Sequence, residues 1–185
     1  MSVSRTGLQR LRAVLQEQGG LMASLVEPSA LDGDGQAAPE TLASPAVMAA
    51  EGPRAIGNRD EYELLVEAIY EGYLLHYGSP RVIRAPEADL GLLAGDQLYA
   101  IGLARLVALG DTLAVAELAD TITLSALAHG AGEDGLADAV WAAGARAVGW
   151  GSSELHRRAK DLAFAGAAGA IDAMRTSAGS LPGAA

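Results

Sequence analysis

The chain has 185 residues, of which 50% are hydrophobic and only 4% are aromatic, and its formal net charge is −10. This composition excludes a largely disordered chain and favours closely packed helices over sheets. The acidic balance argues against nucleic-acid binding, which needs a basic surface, and the lack of cysteine excludes disulfides, zinc–thiolate sites and cysteine nucleophiles.

Membrane association is not expected either. No uncharged apolar stretch reaches the roughly 18 residues of a spanning helix. An anionic membrane surface would repel the acidic chain, and the N-terminal residues lack the ordered pattern of a secretory signal. We therefore predict no transmembrane segment and a cytoplasmic location.

The first third of the chain predicts one helix followed by a linker. Residues 1–18 contain an amphipathic pattern with Leu8, Leu11, Val14 and Leu15 on one face. Residues 19–57 hold four prolines and scattered glycines, which is typical of a flexible linker. We expect one helical turn near residues 47–50 and no other regular structure in this stretch.

The rest of the chain predicts a helical domain over residues 58–176, followed by a disordered tail over residues 177–185. Apolar residues recur at helical spacing in five segments, which cover residues 59–77, 86–110, 112–129, 133–149 and 153–175. Gly110 suits a helix C-cap, and Asp111 and Ser153 suit N-caps. Short connections between five helices predict an all-α bundle of mostly antiparallel neighbours.

The second helix of this bundle contains two residues that are poor helix formers, Gly95 and Asp96. Helical spacing places Asp96 on one side with Leu92, Leu93, Tyr99 and Leu103, and Arg105 on the other. This pattern predicts a buried Asp96 that bonds to a neighbouring helix, with Gly95 letting another backbone approach. The alternative is a carboxylate that faces a metal ion or a diphosphate.

Three further acids are weak metal or diphosphate candidates. Glu133 and Asp134 begin the fourth helix, and Asp138 lies one turn beyond Asp134. Carboxylates grouped in this way are the ligands that Mg²⁺ prefers. The alternative is that acids at this helix start are favoured by the helix dipole and are exposed.

The only basic cluster is at residues 154–161, where Arg157 and Arg158 are weak anion-binding candidates. Glu154 lies four residues before Arg158, and Asp161 lies four residues after Arg157. This spacing predicts a salt-bridged, solvent-facing helix surface as the alternative to anion binding.

Two segments carry a resemblance to a known family. The stretch LLHYG at residues 74–78 is followed, after a loop, by LLAGDQLYAIGL at residues 92–103. In order and spacing they resemble the trans-isoprenyl (polyprenyl) diphosphate synthases, in which a leucine-rich His-Asp-Asp helix precedes a helix with a Gly-Asp pattern. The matching positions in the second segment are Leu93, Gly95, Asp96 and Leu98. The resemblance implies an isoprenoid-synthase-like helical bundle and an apolar isoprenoid ligand.

The chain departs from that family at the positions that carry its chemistry. Tyr77 and Gly78 stand where the family has paired aspartates, and no DDxxD motif occurs in the chain. In the family those aspartates hold the Mg²⁺ ions that grip the diphosphate. The resemblance therefore implies a non-catalytic protein of the small-subunit type, with Mg²⁺ expected only if the protein is an enzyme after all.

Three functional hypotheses follow. The first is an accessory subunit in isoprenoid biosynthesis, which pairs with a catalytic prenyl synthase subunit or with itself. The second is an α-helical adaptor, unrelated to isoprenoids, whose N-terminal helix docks a partner. The third is a small enzyme in which Asp96 and Asp138 converge on a metal ion.

Overall fold

The computed structural model describes residues 6–27 and 44–179, and this part of the chain is almost entirely helical. The helices are α1 (Gly7–Gln18), α2 (Gly20–Leu25), α3 (Pro45–Glu51), α4 (Arg59–Tyr77), α5 (Ala88–Leu109), α6 (Thr112–Gly130), α7 (Asp134–Trp150), α8 (Glu154–Phe164) and α9 (Ala170–Gly179), with a 3-10 turn at Pro53–Ala55. The described residues include no strand, and Val26 and Ile83 form one isolated bridge. The predicted all-α class is confirmed.

The long helix α4 lies at the centre of the bundle and packs against α1, α3 and α5. Nearly all residues from Tyr62 to Tyr73 are buried, because neighbours cover α4 on several sides. One apolar cluster, around Leu65, Ile69 and Trp141, links α4 to α3, α5, α6 and α7. A second apolar cluster joins α6 and α7 to α8 and α9.

Helix α5 lies very close to α4 because small residues face α4. Its buried residues are Gly91, Ala94, Gly95, Leu98, Gly102 and Leu106. A Cβ atom at Gly102 would lie 2.3 Å from Ile69 Cγ1 and 2.8 Å from the Leu65 carbonyl oxygen. The bulky Leu92 and Leu93, which we predicted to be buried, are 42% and 66% exposed. The glycine-rich side of α5 thus faces α4, because it lets the two backbones approach closely.

The expected linker contains more structure than its composition predicts. Within it, α2, α3 and the 3-10 turn are all formed. Helix α3 buries three alanines, and its Ala49 carbonyl oxygen would lie 2.5 Å from a Cβ at Gly149 of α7. Small residues on α3 and α7 allow this close contact. The contact does not require apolar residues at helical spacing along α3, so the sequence pattern did not reveal it. The remaining linker residues, 28–43, lie outside the described part.

The C-terminal region also differs from its prediction. The expected helix over 153–175 is two helices, α8 and α9, separated at Gly166 and Gly169, which both have positive φ angles (59° and 87°). Residues 177–179, expected in the disordered tail, belong to α9. The rest of the tail lies outside the described residues.

Candidate functional site

Two of the sequence-predicted candidates, Asp96 and Asp134, lie near the C-terminal end of α4. There α4 meets the middle of α5, the end of α6 and the start of α7. We call the side chains of His76, Tyr77, Asp96, His129 and Asp134 the α4-end cluster. Its rings follow one another: the centroid of Tyr77 is 5.8 Å from that of His76 and 4.4 Å from that of His129.

Asp96 is on the outer side of this cluster, and the expectation that it is buried is wrong. Its side chain is 67% exposed, and its Oδ1 lies 3.2 Å from His76 Nε2. The His76 ring stacks on Tyr99 at 5.4 Å and occupies the space beside Gly95, where a Cβ would lie 2.7 Å from the ring. Gly95 is therefore the buried member of the pair, and it makes room for His76 and for the backbone of α4.

His129 connects α6 to both α4 and α7. Its Nδ1 lies 2.9 Å from Asp134 Oδ1, and its Nε2 lies 2.9 Å from the Tyr73 hydroxyl. Because a carboxylate accepts hydrogen bonds, Nδ1 carries the proton and Nε2 accepts from Tyr73. Burial, together with the negative charge of Asp138, raises the pKa of Tyr73 to about 12. The phenol is thus a fixed donor that joins α4 to α6, and His129 extends the link to α7 through Asp134.

The acids at the start of α7 are not assembled into a metal site. Glu133 and Asp138 are exposed, and Asp134, 83% exposed, faces His129. Within residues 6–27 and 44–179, no three side chains of the metal-ligating types form a group that could hold an ion. Asp96 and Asp138 accordingly share no three-ligand group.

The arginines of α8 are held by one glutamate. Arg158 Nε donates to Glu154 at 3.1 Å, as the spacing predicted. Arg157 Nη2 also donates to Glu154, at 2.6 Å, whereas we predicted a pair with Asp161. Both guanidinium groups lie on the exposed side of a helix, more than half accessible. This arrangement matches the salt-bridged surface that was the alternative to anion binding.

A buried polar network between α6 and α8 was not predicted. We call it the α6–α8 network: Glu117 Oε2 faces His156 Nε2 at 3.1 Å and accepts from Lys160 Nζ at 2.9 Å, and Lys160 also donates to Asp120. Burial by itself raises the pKa of Glu117, but hydrogen bonds from His156 and Lys160 outweigh it and lower the pKa to about 2. In the sequence, this network is indicated by one feature: Glu117 lies on the apolar side of α6, with Ala114 and Leu118.

This network also includes Ser177 of α9, whose Oγ lies 3.2 Å from His156 Nδ1. Serine, histidine and glutamate in this order are the groups of a nucleophilic triad. Ser177 is 5% exposed and His156 4% exposed, and Ser177 Oγ donates to the Met174 carbonyl. The adjoining cavity, about 10 Å³, is just large enough for one water molecule. A substrate has no access, so this arrangement serves to hold α6, α8 and α9 together.

Two buried glutamates of α4, Glu67 and Glu71, hold the connection between α4 and α5 in place. Glu71, which is fully buried, accepts from the backbone N–H groups of Arg81, Val82 and Ile83 at 2.6–3.2 Å. Glu67 accepts from Arg81 Nη2 at 2.7 Å. The two glutamates are four residues apart in a stretch that is otherwise apolar, and this was the signal that the sequence offered.

The outer faces of α5 and α6 carry several large apolar side chains that are exposed. We call these faces the outer α5–α6 surface. Its large apolar side chains are Leu92 (42% exposed), Leu93 (66%), Val107 (61%), Leu109 (36%), Leu113 (66%) and Leu127 (51%). Exposed alanines separate them, among them Ala100, Ala104 and Ala108. Large contiguous apolar patches on a protein surface mark binding sites for proteins or membranes.

Every charged side chain of α5 and α6 that lies between residues 90 and 130 has a partner within the chain. On α5, Asp96 faces His76 and Arg105 pairs with Glu61. On α6, Glu117 and Asp120 both pair with Lys160. The turn between the helices follows the same rule, because Asp111 pairs with Arg54. Arg105 and Asp111 thus each pair with a residue of opposite charge, whereas one lysine faces both acids of α6 and Asp96 is an exposed carboxylate beside a histidine.

Helix α5 is long and apolar enough to cross a membrane by length and composition alone, and only 28% of its most apolar stretch is buried in the bundle. That finding differs from our prediction, which considered only uncharged stretches. The bidentate pair of Arg105 with Glu61 links α5 to α4.

One open groove adjoins this surface. It lies between α2 and α5, has a volume of about 360 Å³, and is lined mainly by Leu21, Met22, Leu25, Leu90 and Leu93. Its apolar lining and its lack of charged residues suit an apolar chain.

Comparison of the chain with protein-family models, with curated proteins and with solved structures gives no match. The resemblance to the polyprenyl diphosphate synthases therefore stays a prediction based on residues 74–78 and 92–103.

Proposed function

We propose that this protein is a non-catalytic helical subunit that acts by associating with another helical protein through the outer α5–α6 surface. The observation that carries the proposal is the exposure of Leu93, Val107, Leu113 and Leu127, each more than half accessible. Covering such side chains releases about 25 cal/mol for each Å² of apolar surface removed from water. A partner that buries them gains much of its binding free energy there.

The distribution of charge supports a protein partner over a membrane. A net charge of −10 makes an anionic lipid surface unfavourable. On this surface Arg105 is paired with Glu61, and the large exposed side chains are apolar. An apolar helical face on a partner complements such side chains.

A matched set of three baits tests this proposal. The wild type, Val107→Glu and Ile56→Glu are immobilised and exposed to lysate of the native organism. Ile56 is 69% exposed but lies outside the outer α5–α6 surface, so its variant controls for added charge. We expect Val107→Glu alone to lose a protein that the other two baits retain. Identical capture by all three baits would contradict the proposal.

Flotation with phosphatidylcholine vesicles separates the membrane alternative. We expect the wild type to stay with the protein fraction at the bottom of the gradient. Flotation that Val107→Glu abolishes would show that this surface binds lipid instead, and the protein-partner proposal would fail.

The isoprenoid role is the second candidate, and one observation favours it. The two segments that carry the resemblance lie against each other, with the His76 ring beside Gly95. In this proposal the chain is an accessory subunit of a prenyl synthase in the cytoplasm, and the groove between α2 and α5 takes an apolar isoprenoid chain. This proposal names no cofactor.

The test is a reconstitution with the catalytic polyprenyl diphosphate synthase of the same organism. Mass spectrometry of the products should show a changed chain-length distribution when the chain is added at equimolar amount. An unchanged distribution, and no heat on calorimetric titration with farnesyl diphosphate and Mg²⁺, would leave the adaptor hypothesis in its place.

A further inference from the structure

We propose that Tyr73 is a redox-active tyrosine, which a diffusible one-electron oxidant such as a peroxyl radical converts to a phenoxyl radical. The electron leaves Tyr73 through Tyr77, and the phenolic proton of Tyr73 moves to His129 Nε2. This chemistry is separate from association through the outer α5–α6 surface and does not depend on it.

A base for the phenolic proton lies within reach of Tyr73. A phenol that loses an electron becomes a strong acid, so its oxidation is easiest where a base takes the proton at once. Such a base must lie about 2.6–3.2 Å from the donor atom, and His129 Nε2 lies 2.9 Å from the Tyr73 hydroxyl. Nδ1 of the same ring faces Asp134 Oδ1 at 2.9 Å. That carboxylate fixes the tautomer in which Nε2 accepts, and it stabilises the imidazolium that forms.

Tyr62 provides a comparison, because it is also buried and hydrogen-bonded. Its hydroxyl donates to Asp111, which also accepts from Arg54 and from the Ala114 backbone. Burial raises the pKa of Asp111, but these hydrogen bonds outweigh it and lower the pKa. A carboxylate held in this way is a poor base. Of these two hydrogen-bonded tyrosines, only Tyr73 faces an imidazole that can take its proton.

Stacked rings connect Tyr73 to the surface of the protein. Tyr73 is 6% exposed, whereas Tyr77, one turn further along α4, is 43% exposed. Their ring centroids are 5.7 Å apart, within the range of about 4.5–7 Å at which aromatic rings interact. An oxidant in solution therefore meets Tyr77 first, and Tyr77 is in contact with Tyr73.

The transfer takes place in two balanced steps. A peroxyl radical takes an electron and a proton from Tyr77 and becomes a hydroperoxide. Tyr77 then recovers an electron from Tyr73 and a proton from water, while Tyr73 gives its own proton to His129. The radical ends on Tyr73 because only there does the transferred proton form an ion pair, between the His129 imidazolium and Asp134.

Burial protects the radical on Tyr73 once it has formed. Phenoxyl radicals disappear mainly by coupling to one another, which requires contact between rings of two molecules. The rings of Tyr70 and Trp141 lie against Tyr73, with centroids 5.7 Å and 5.1 Å away. A radical on Tyr73 should therefore outlast one on Tyr77. It ends when a soluble thiolate supplies an electron through Tyr77 and His129 returns the proton.

Photo-oxidation of the full chain, followed by electron paramagnetic resonance, tests this proposal. Tris(bipyridine)ruthenium(II), oxidised in light by persulfate, is the one-electron oxidant, and samples are frozen at increasing times after illumination. We expect a persistent phenoxyl radical that couples to one proton exchangeable in heavy water. In protein prepared with ¹⁵N-labelled histidine, the radical should also couple to one histidine nitrogen. A radical without these two couplings would overturn the proposal, and this readout needs no variant.

Two variants assign the radical to one tyrosine. Tyr73→Phe should remove the persistent signal and leave coupled products of the exposed tyrosine. Tyr62→Phe is the matched control, and it should keep the lifetime and both couplings of the wild type. A persistent radical with unchanged couplings in Tyr73→Phe would overturn the assignment.

A second pair of variants tests the proton acceptor. His129→Phe keeps a ring beside Tyr77 but removes the acceptor. It should slow radical formation on Tyr73 at least about tenfold, since a positioned base accelerates proton transfer by about 10²–10⁴. His76→Phe is the control, because His76 also lies beside Tyr77 but its Nε2 faces Asp96. Equal rates in the two variants would overturn the role of His129, and circular dichroism checks that both retain their helices.

Discussion

At the residue scale, Gly95 and Asp96 are neighbours in one helix but lie in different environments. Asp96 is 67% exposed and faces His76, while Gly95 is buried where α5 crosses α4. The free energy at this crossing comes from the close approach of the backbones, which the glycines permit. The exposed contact between Asp96 and His76 contributes little, because solvent surrounds the carboxylate and two side chains must be ordered to make the contact.

Substitutions on the two sides of α5 should therefore differ in cost. Asp96→Ala should change the free energy of unfolding by less than about 1 kcal/mol. Gly102→Ala should lower it by about 1–3 kcal/mol, because the new methyl group would overlap Ile69 and the Leu65 carbonyl. Urea denaturation measures both. Gly130→Ala is the control, since its Cβ would meet open space; a loss equal to that of Gly102→Ala would contradict this account.

The buried carboxylate of Glu117 predicts a loss of stability in acid. Its pKa is about 2 in the folded protein against 4.5 for the ordinary side chain, so folding favours the ionised form. The contribution is present above pH 4.5 and is lost as the pH falls through 2; a shift of this size corresponds to about 3 kcal/mol. Thermal unfolding between pH 2 and 7 measures it.

A pair of glutamine variants isolates this contribution. Glu117→Gln should unfold more easily at pH 7 and lose less stability than the wild type below pH 4.5. Glu154→Gln, on the exposed side of α8, should keep the acid-dependent loss of the wild type. Parallel pH profiles for the wild type and Glu117→Gln would show that Glu117 is not the group responsible.

At the element scale, buried glutamates of α4 decide how the connection to α5 is placed. Glu71 holds the backbone of residues 81–83. This segment in turn bonds to the end of α2, through Glu27 N–H to the Val82 carbonyl and Arg84 N–H to the Leu25 carbonyl. One carboxylate thus links α4, the α4–α5 connection and the N-terminal helices.

Removing that carboxylate should be costly. Glu71→Ala leaves three backbone N–H groups without their acceptor, and stranded buried donors cost about 1–3 kcal/mol each. We expect a loss of at least about 3 kcal/mol in the free energy of unfolding, with faster hydrogen exchange at Val82 and Ile83. Glu17→Ala, on the exposed side of α1, should stay within about 0.5 kcal/mol of the wild type. Unchanged protection at Val82 would contradict this role.

At the scale of the whole molecule, the net charge and the apolar outer α5–α6 surface act against each other. Two copies with a charge of −10 each repel at long range, whereas burial of the apolar surface attracts at short range. Salt shortens the range of the repulsion, from about 14 Å at 0.05 M to about 4 Å at 0.5 M.

Local signals in the sequence determined the all-α class and most of the helix bounds in the second half of the chain. The structure has α4 at Arg59–Tyr77, as predicted, with α6 starting after Asp111 and α8 after Ser153. These features depend on capping hydrogen bonds and on apolar spacing within a few residues of the same helix, so the sequence alone specifies them.

Only the tertiary structure decided which side of α5 is buried and which polar residues meet. Helix α5 is apolar nearly all round, so its period does not choose a side; the fit of its glycines against α4 does. Glu117 and His156 are 39 residues apart, and no local pattern joins them. Packing between distant segments sets such contacts, and for the same reason the sequence placed Asp96 inside the bundle, whereas the structure places it outside.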